Sequence, residues 1–192
     1  MANSKLIIVE GPQGAGKTTV TDYIRYSLKY TNLYRLSGTA DSSIEGKKKA
    51  EDMYRDLLKY IKKLENKNIN LLFDRTFFSE ENYCRLGKKE YSFTDVYEEL
   101  LKELSELDFE IYYITLYLKD TNIYIERLKR EDKAVVSYAK FNKENSLEQQ
   151  EMYLKMADEI EQKYKNINVV KIDNGKDFEE TKKELCNILG IK

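Results

Sequence analysis

The chain contains no histidine, no tryptophan, one proline and only two cysteines in 192 residues. Each shortage excludes something. Without histidine there is no imidazole acid or base and none of the commonest zinc ligand. Cys84 and Cys186 are far apart and outside any metal-ligand spacing. They read as two thiols of a reducing cytosol rather than as a disulfide framework. With Pro12 alone, no Pro-rich linker breaks the chain, and no internal repeat stands out. One domain over residues 1–192 is expected. No stretch approaches the ~20 apolar residues of a membrane span, and the apolar run near the N-terminus is too short for a signal peptide. Charge of either sign is not in excess: 33 basic and 34 acidic residues leave a net charge of −1. No basic tail points to nucleic acid or to an acidic membrane. A cytoplasmic protein with neither nucleic-acid nor membrane partners is the expectation.

What is present is an alternation of short apolar runs and helical periods. "KLIIV" (5–9), "LYRL" (33–36), "INLLF" (69–73), "EIYYITLYL" (110–118) and "INVVKI" (167–172) read as strands. Between them, apolar spacing predicts helices over about 17–30, 46–66, 94–107, 122–130 and 146–165, with a last one over 177–189. Residues 131–145 are polar and aperiodic, and read as a loop. Strands separated by helices imply right-handed crossovers and a parallel sheet covered on both faces. The expected class is therefore α/β, a three-layer αβα sandwich with a five-stranded parallel sheet. Ligands of such sheets bind beyond the carboxyl ends of the strands.

The first strand runs into "GPQGAGKT" (11–18), which matches G-x-x-x-x-G-K-[ST] between a strand and a helix. A chance match in a chain this long is about 1%. Such a loop turns backbone N–H groups, here of Gly11 to Thr19 including Gln13 and Ala15, toward phosphate oxygens. Gly14 and Gly16 keep Cβ atoms out of the way. The helix that follows adds its positive pole. Lys17 neutralises β- and γ-phosphate charge, and the Thr18 hydroxyl can ligate Mg²⁺. ATP with Mg²⁺ is the ligand this predicts.

A phosphate loop alone fits a kinase, a GTPase, an ATPase motor or a passive nucleotide sensor. The chain lacks Asn-Lys-x-Asp and Asp-x-x-Gly, the guanine and switch motifs of GTPases. A motor needs an acid after its strand-end Asp to activate water, but Asp74 is followed by Arg75. Arginine cannot act as that base, yet it can hold a second phosphate. Transfer to an acceptor is favoured over hydrolysis.

"VEGPQGAGKTT" together with "LLFDRTFFSEENY" (71–83) resembles the thymidylate kinase family of P-loop nucleoside monophosphate kinases. That family carries Asp-Arg-Tyr-x-x-Ser-x-x-Ala-Tyr, and Asp74, Arg75, Ser79 and Tyr83 keep its spacing. The related deoxynucleoside kinases have Glu-Arg-Ser there. The resemblance implies that Asp74 orients Mg²⁺ through water and that Arg75 touches the acceptor or transferring phosphate. It places Tyr83 against the sugar. "YIERLKREDK" (124–133) resembles the family's Arg-rich lid, expected over about 127–145, with Arg127 or Arg130 as the catalytic cation. Arg127 and Arg130 lie three apart, on one helical face. The phosphate loop has no Arg to do that work. Asn174 and Gly175 of "DNG" fall where relatives wall the adenine.

Elsewhere the chain departs from the family. After the second strand it keeps Arg35, Gly38 and Thr39 but lacks Glu-Pro, and Cys84 stands where relatives carry Gln. Tyr54 and Arg55 are the nearest matches to a base-stacking Phe and a phosphate-binding Arg. Relatives are often homodimers, which implies a homodimer through the second and third helices.

A nucleoside hydroxyl must lose its proton to a carboxylate, whereas a nucleotide phosphate needs no base. After "NLYRL" the chain offers no acid before Asp41. That favours a monophosphate acceptor, dTMP or a similar dNMP, with a nucleoside as the alternative if Asp41 or Glu45 supplies the base. A non-catalytic nucleotide-binding protein is a second alternative. A polynucleotide 5′ end is disfavoured because no extra basic surface is visible. Lys17→Ala is expected to slow phosphoryl transfer by orders of magnitude in a coupled ADP assay; an unchanged rate would put the active site elsewhere.

Overall fold

Five β-branched and aromatic runs pair into one sheet. The computed structural model describes residues 4–129 and 142–191. Its strands are β1 (Lys5–Glu10), β2 (Thr31–Arg35), β3 (Asn70–Asp74), β4 (Glu110–Tyr117) and β5 (Ile167–Asp173). The helices are α1 (Lys17–Ser27), α2 (Ile44–Lys63), α3 (Phe77–Arg85), α4 (Thr94–Ser105), α5 (Ile123–Lys129), α6 (Lys143–Lys163) and α7 (Phe178–Leu189). The strand order is β2-β3-β1-β4-β5, and every pair is parallel. β1 is central, so the loop that follows it opens between the ends of β3 and β4.

Alternate side chains of each strand enter opposite layers, as the pleat requires. Leu6, Ile8, Leu71, Phe73, Ile111 and Tyr113 face one core, shared with α2, α3, α4 and α6. Ile7, Val9, Leu72, Tyr112, Ile114 and Leu116 face the other, shared with α1 and α7. The three-layer α/β sandwich expected from the sequence is what the chain forms. No described helix is long and apolar enough to cross a membrane.

The main departure is α3, for which periodicity gave no signal. Its residues Phe77 to Tyr83 are all buried. A helix enclosed on every side has no polar face to set a 3.6-residue period. Phe78 is fully buried, stacks on Phe77 at 4.5 Å between ring centroids, and meets Tyr97 of α4 and Tyr113 of β4. α6 also begins earlier than expected. Residues 143–145 open α6, where the Asn142 side chain accepts the Asn145 N–H at 2.8 Å. Of the lid expected over 127–145, residues 127–129 close α5, and residues 130–141, Arg130 among them, lie outside the described residues.

Phe78 pins the helix that follows Asp74 and Arg75. Phe78→Ala is expected to cost about 3–5 kcal/mol of stability, read from urea unfolding.

Candidate active site

Three glycines with positive φ shape the loop after β1: Gly11 (147°), Gly14 (83°) and Gly16 (90°). At Gly16 a Cβ would stand 2.4 Å from Asn174 Nδ2, and at Gly11 it would stand 2.7 Å from the Leu116 carbonyl. Both positions are closed to any side chain. Gly16 caps α1 without a side-chain acceptor, and the first turn of α1 holds no acid. The helix therefore presents uncompensated N–H groups and its positive pole to the loop. The Lys17 ammonium is buried there and donates to the carbonyls of Gly11 (2.8 Å) and Pro12 (2.7 Å).

Neighbouring elements hold the loop from three sides. From α6, Ser146 Oγ donates to the Gln13 carbonyl at 2.9 Å, and Gln149 Oε1 accepts the Gln13 N–H at 3.3 Å. From α3, the Tyr83 hydroxyl accepts from Gln13 Nε2 at 3.4 Å. From the end of β5, Asn174 Nδ2 donates to the Ala15 carbonyl at 2.7 Å. Arg127 bridges two of these parts, donating to the Gly14 carbonyl (3.2 Å) and the Asn174 carbonyl (2.8 Å). Beside it lies a cleft of about 310 Å³, lined by Gly14, Gly16, Thr19, Arg127, Asn174 and Phe178 among others.

Beside the loop, β1 and β3 end in register, Val9 opposite Asp74. Arg75 follows at φ 72°, a left-handed conformation that costs a non-glycine residue about 1–2 kcal/mol. Two contacts hold it there. Its own N–H donates to the Val9 carbonyl at 3.1 Å. The fully buried Glu10 carboxylate accepts the next N–H, that of Thr76, at 2.7 Å, and the Ser79 hydroxyl, also at 2.7 Å. Ser79 in turn meets the Tyr153 hydroxyl at 2.9 Å. Burial lifts the Glu10 carboxyl to about 7, although bonds from Ser79 and Thr76 and the charges of Arg75 and Lys17 pull it down. The Arg75 guanidinium makes no hydrogen bond or ion pair with any described residue. Loss of water opposes its charge, but Tyr153, Tyr83, Glu10 and Asp74 outweigh that and raise it above its ordinary value.

Across from Arg75, Gly38 (φ 70°) faces two polar atoms. A Cβ there would lie 3.4 Å from Glu80 Oε2 and 3.5 Å from the Tyr54 hydroxyl. Tyr54 is fully buried, and its hydroxyl has no hydrogen-bond partner among the described residues. Glu80 Oε1 accepts from Tyr91 (2.5 Å) and pairs with the buried Lys89 (3.2 Å). No described residue donates to its second oxygen.

No protein-family model matches the chain, and a search of curated proteins returns no match. Solved structures do match. Thymidylate kinase from Candida albicans superposes with a TM-score of 0.70 at 16% identity, over 99% of this chain and 92% of that one. The YorR protein of Bacillus subtilis, solved with phosphorylated GDP, gives 0.64 at 18% identity, over 96% and 95%. Deoxyadenosine kinase from M. mycoides, solved with dCMP and dCDP, gives 0.60 at 20% identity, over 96% and 98%. The fold is that of the thymidylate and deoxynucleoside kinases.

On this thymidylate kinase-like fold the sequence-predicted residues divide. The structure gathers the 11–19 loop, Asp74, Arg75, Ser79 and Tyr83 at the carboxyl ends of β1 and β3. Ser79 faces Glu10 rather than open space. Asn174 and Arg127 meet at the cleft of about 310 Å³, with Gly175 beside Asn174. Arg35 ends β2 opposite Asp74, 3.6 Å from its carboxylate, and pairs with Asp22 at 2.5 Å. Tyr54 faces Gly38. Arg55 is not brought to the others: it pairs with Glu51 (3.0 Å) and with Glu99 of α4 (2.5 Å). Asp41, one candidate base, is tied to Ser43 and Lys49, which hold its carboxyl far below the usual range.

Sequence reasoning missed Glu10, Glu80 and the polar face of α6. The signal was there for Glu10, an acid closing a strand that is otherwise buried. Among the described residues no three His, Cys, Asp or Glu side chains cluster as metal ligands. Thr18 with Asp74 suits Mg²⁺, which keeps most of its shell as water and phosphate.

Glu10 yields a pH signature. Its folded pKa stands above the ordinary 4.5, so the native state keeps a proton that the unfolded chain loses. Stability from this group is complete below that value, falls as pH rises and is gone above about 7. The neutral Glu10→Gln should skip this loss. Urea unfolding is expected to shift by about 3 kcal/mol in favour of Glu10→Gln between about pH 4 and pH 8.

Proposed function

We propose that the chain transfers the γ-phosphoryl group of Mg·ATP to a (deoxy)nucleoside monophosphate, giving the diphosphate and ADP. The observation that carries this reading is Arg75. A half-buried guanidinium without a carboxylate partner among the described residues, beside a phosphate loop, is a site prepared for an anion. The donor phosphates fit the glycine cradle, with Lys17 and the first turn of α1 supplying positive charge. The base of the donor fits the cleft beside Asn174 and Arg127. Thr18 and Asp74 would hold Mg²⁺, which when bound neutralises phosphate charge as it shifts toward the leaving ADP. Arg75 orients the acceptor phosphate and stabilises the equatorial oxygens in the transition state. Tyr83 packs toward the acceptor sugar. The enclosure formed by α3 and α6 excludes water that would otherwise hydrolyse the donor.

One observation favours a second reading, a nucleoside acceptor. The sequence shows no acid after β2 before Asp41, but folding delivers Glu80 to Gly38 from α3. Its oxygen without a donor could take a proton from a 5′-hydroxyl.

A panel of nucleosides and nucleoside monophosphates with coupled ADP detection decides between them. Turnover of monophosphates is expected, with Arg75→Ala lowering kcat/KM at least about 100-fold. Glu80→Gln should then change kcat little. Turnover of nucleosides alone, with kcat lost in Glu80→Gln, would establish the second reading. ATP binding with no acceptor response would leave a nucleotide-binding protein.

A further inference from the structure

The opposite end of the sheet carries a second feature that phosphoryl transfer does not use. Where α1 turns into β2, and where the 64–69 loop enters β3, the surface folds into a groove of about 470 Å³. Its walls hold Arg25, Lys29 and Lys67, the tyrosines Tyr26 and Tyr30, and no carboxylate. None of the three cations forms an ion pair with a described residue. Two nearby acids in sequence and space have other partners: Glu65 accepts the Asp108 main-chain N–H at 2.7 Å, and the Asp108 carboxylate accepts from Asn66 at 3.1 Å.

The tyrosines are the unusual part. Tyr26 is 81% exposed and Tyr30 74%, the two most exposed large hydrophobic side chains among the described residues. Tyr30 sits at φ 56°, and Asn66 and Asn68 across the groove at 59° and 55°. Asparagine tolerates this left-handed region, but for a bulky ring it is an outlier. The fold gains no packing in return, since the ring points into water. Strain kept at an exposed aromatic marks a functional position. The walls are also fixed. Asn70 ties both loops to β1, donating to the Lys29 carbonyl at 2.9 Å and accepting the Lys5 N–H at 2.8 Å, while its own N–H donates to the Tyr30 carbonyl at 2.8 Å.

We infer that this groove binds nucleotide units, with bases stacked on Tyr26 and Tyr30 and phosphates paired with Arg25, Lys29 and Lys67. Flat rings beside cations that hold no carboxylate among the described residues, with the Arg25 guanidinium over the Tyr26 ring at 5.8 Å, suit a single strand, since every base has a π-face and every link a charge. The same chemistry is offered by free nucleotides, and the test separates the two sources. The site lies at the amino ends of β2 and β3, away from the phosphate loop. It is therefore a binding site and not a route by which a polynucleotide end reaches ATP. The inference does not depend on the proposed phosphoryl transfer.

Fluorescence anisotropy of the full chain with a labelled single-stranded hexadeoxynucleotide and, in a separate titration, with a labelled deoxynucleoside diphosphate tests it. Three phosphates neutralised on a single strand give a slope of log affinity against log salt of about −2. The slope should flatten to about −0.7 in Lys29→Ala/Lys67→Ala. Tyr30→Asn should weaken binding about tenfold or more through lost stacking, while raising the urea midpoint because the strain is relieved. A structural role for Tyr30 would lower that midpoint instead. All these variants should keep the wild-type transfer rate. Hexamer binding lost in the variants assigns the groove to single strands. Binding of the diphosphate without the hexamer, with a component lost in the same variants, assigns it to free nucleotides. Absence of both, or binding that the variants leave unchanged, overturns the inference.

Discussion

The buried carboxylate of Glu10 is the contact on which the active end of the sheet depends. β1 and β3 are joined up to Val9 and Asp74 by ordinary parallel pairing. Beyond that point the ladder ends, and Glu10 continues it with a side chain, taking the Thr76 N–H and the Ser79 hydroxyl. A neutral residue could pair with those groups. A carboxylate buried beside Lys17 and Arg75 also keeps two positive charges near each other before any phosphate arrives. The cost is its own desolvation, which is why its ionisation is displaced toward neutral pH.

Around that contact, the charged residues have divided tasks. Arg35, Arg55 and Arg85 are occupied by carboxylates and act as braces between elements. Arg127 donates to main-chain carbonyls and joins the glycine loop to the end of β5. Among the described residues Arg75 has no such partner, and its backbone is left-handed. That lack of a partner, more than its proximity to the loop, sets it apart from the bracing arginines.

The sequence made the outline legible because periodicity and motif spacing are local. Strand runs such as "KLIIV", the loop at 11–18 and the Asp74-Arg75 step all declare themselves within a dozen residues. What stayed hidden is contributed from a distance or from all sides. α3 gives no period because it has no solvent face, so its Glu80 read as an ordinary polar residue. Glu80 reaches Gly38 across a gap of 42 positions, which no spacing rule anticipates. Arg55 illustrates the converse. Its position beside Tyr54 suggested a role at the substrate, but one residue along a helix turns a side chain by about 100°, and α4 receives it. Likewise the cations of the distal groove come from the last turn of α1, the turn after it and the 64–69 loop, so no basic run marked them.

The strand order has a consequence for how the protein is made. The phosphate loop is translated before β3 and β4, the strands that flank β1, and β1 has no partner until β3 is complete. Its second neighbour, β4, ends at Tyr117, and the Asn174 that braces Ala15 follows later still. The nascent chain therefore carries its most glycine-rich segment unsupported through most of its synthesis. The glycine cradle is translated before the elements that brace it and is among the last parts to take shape.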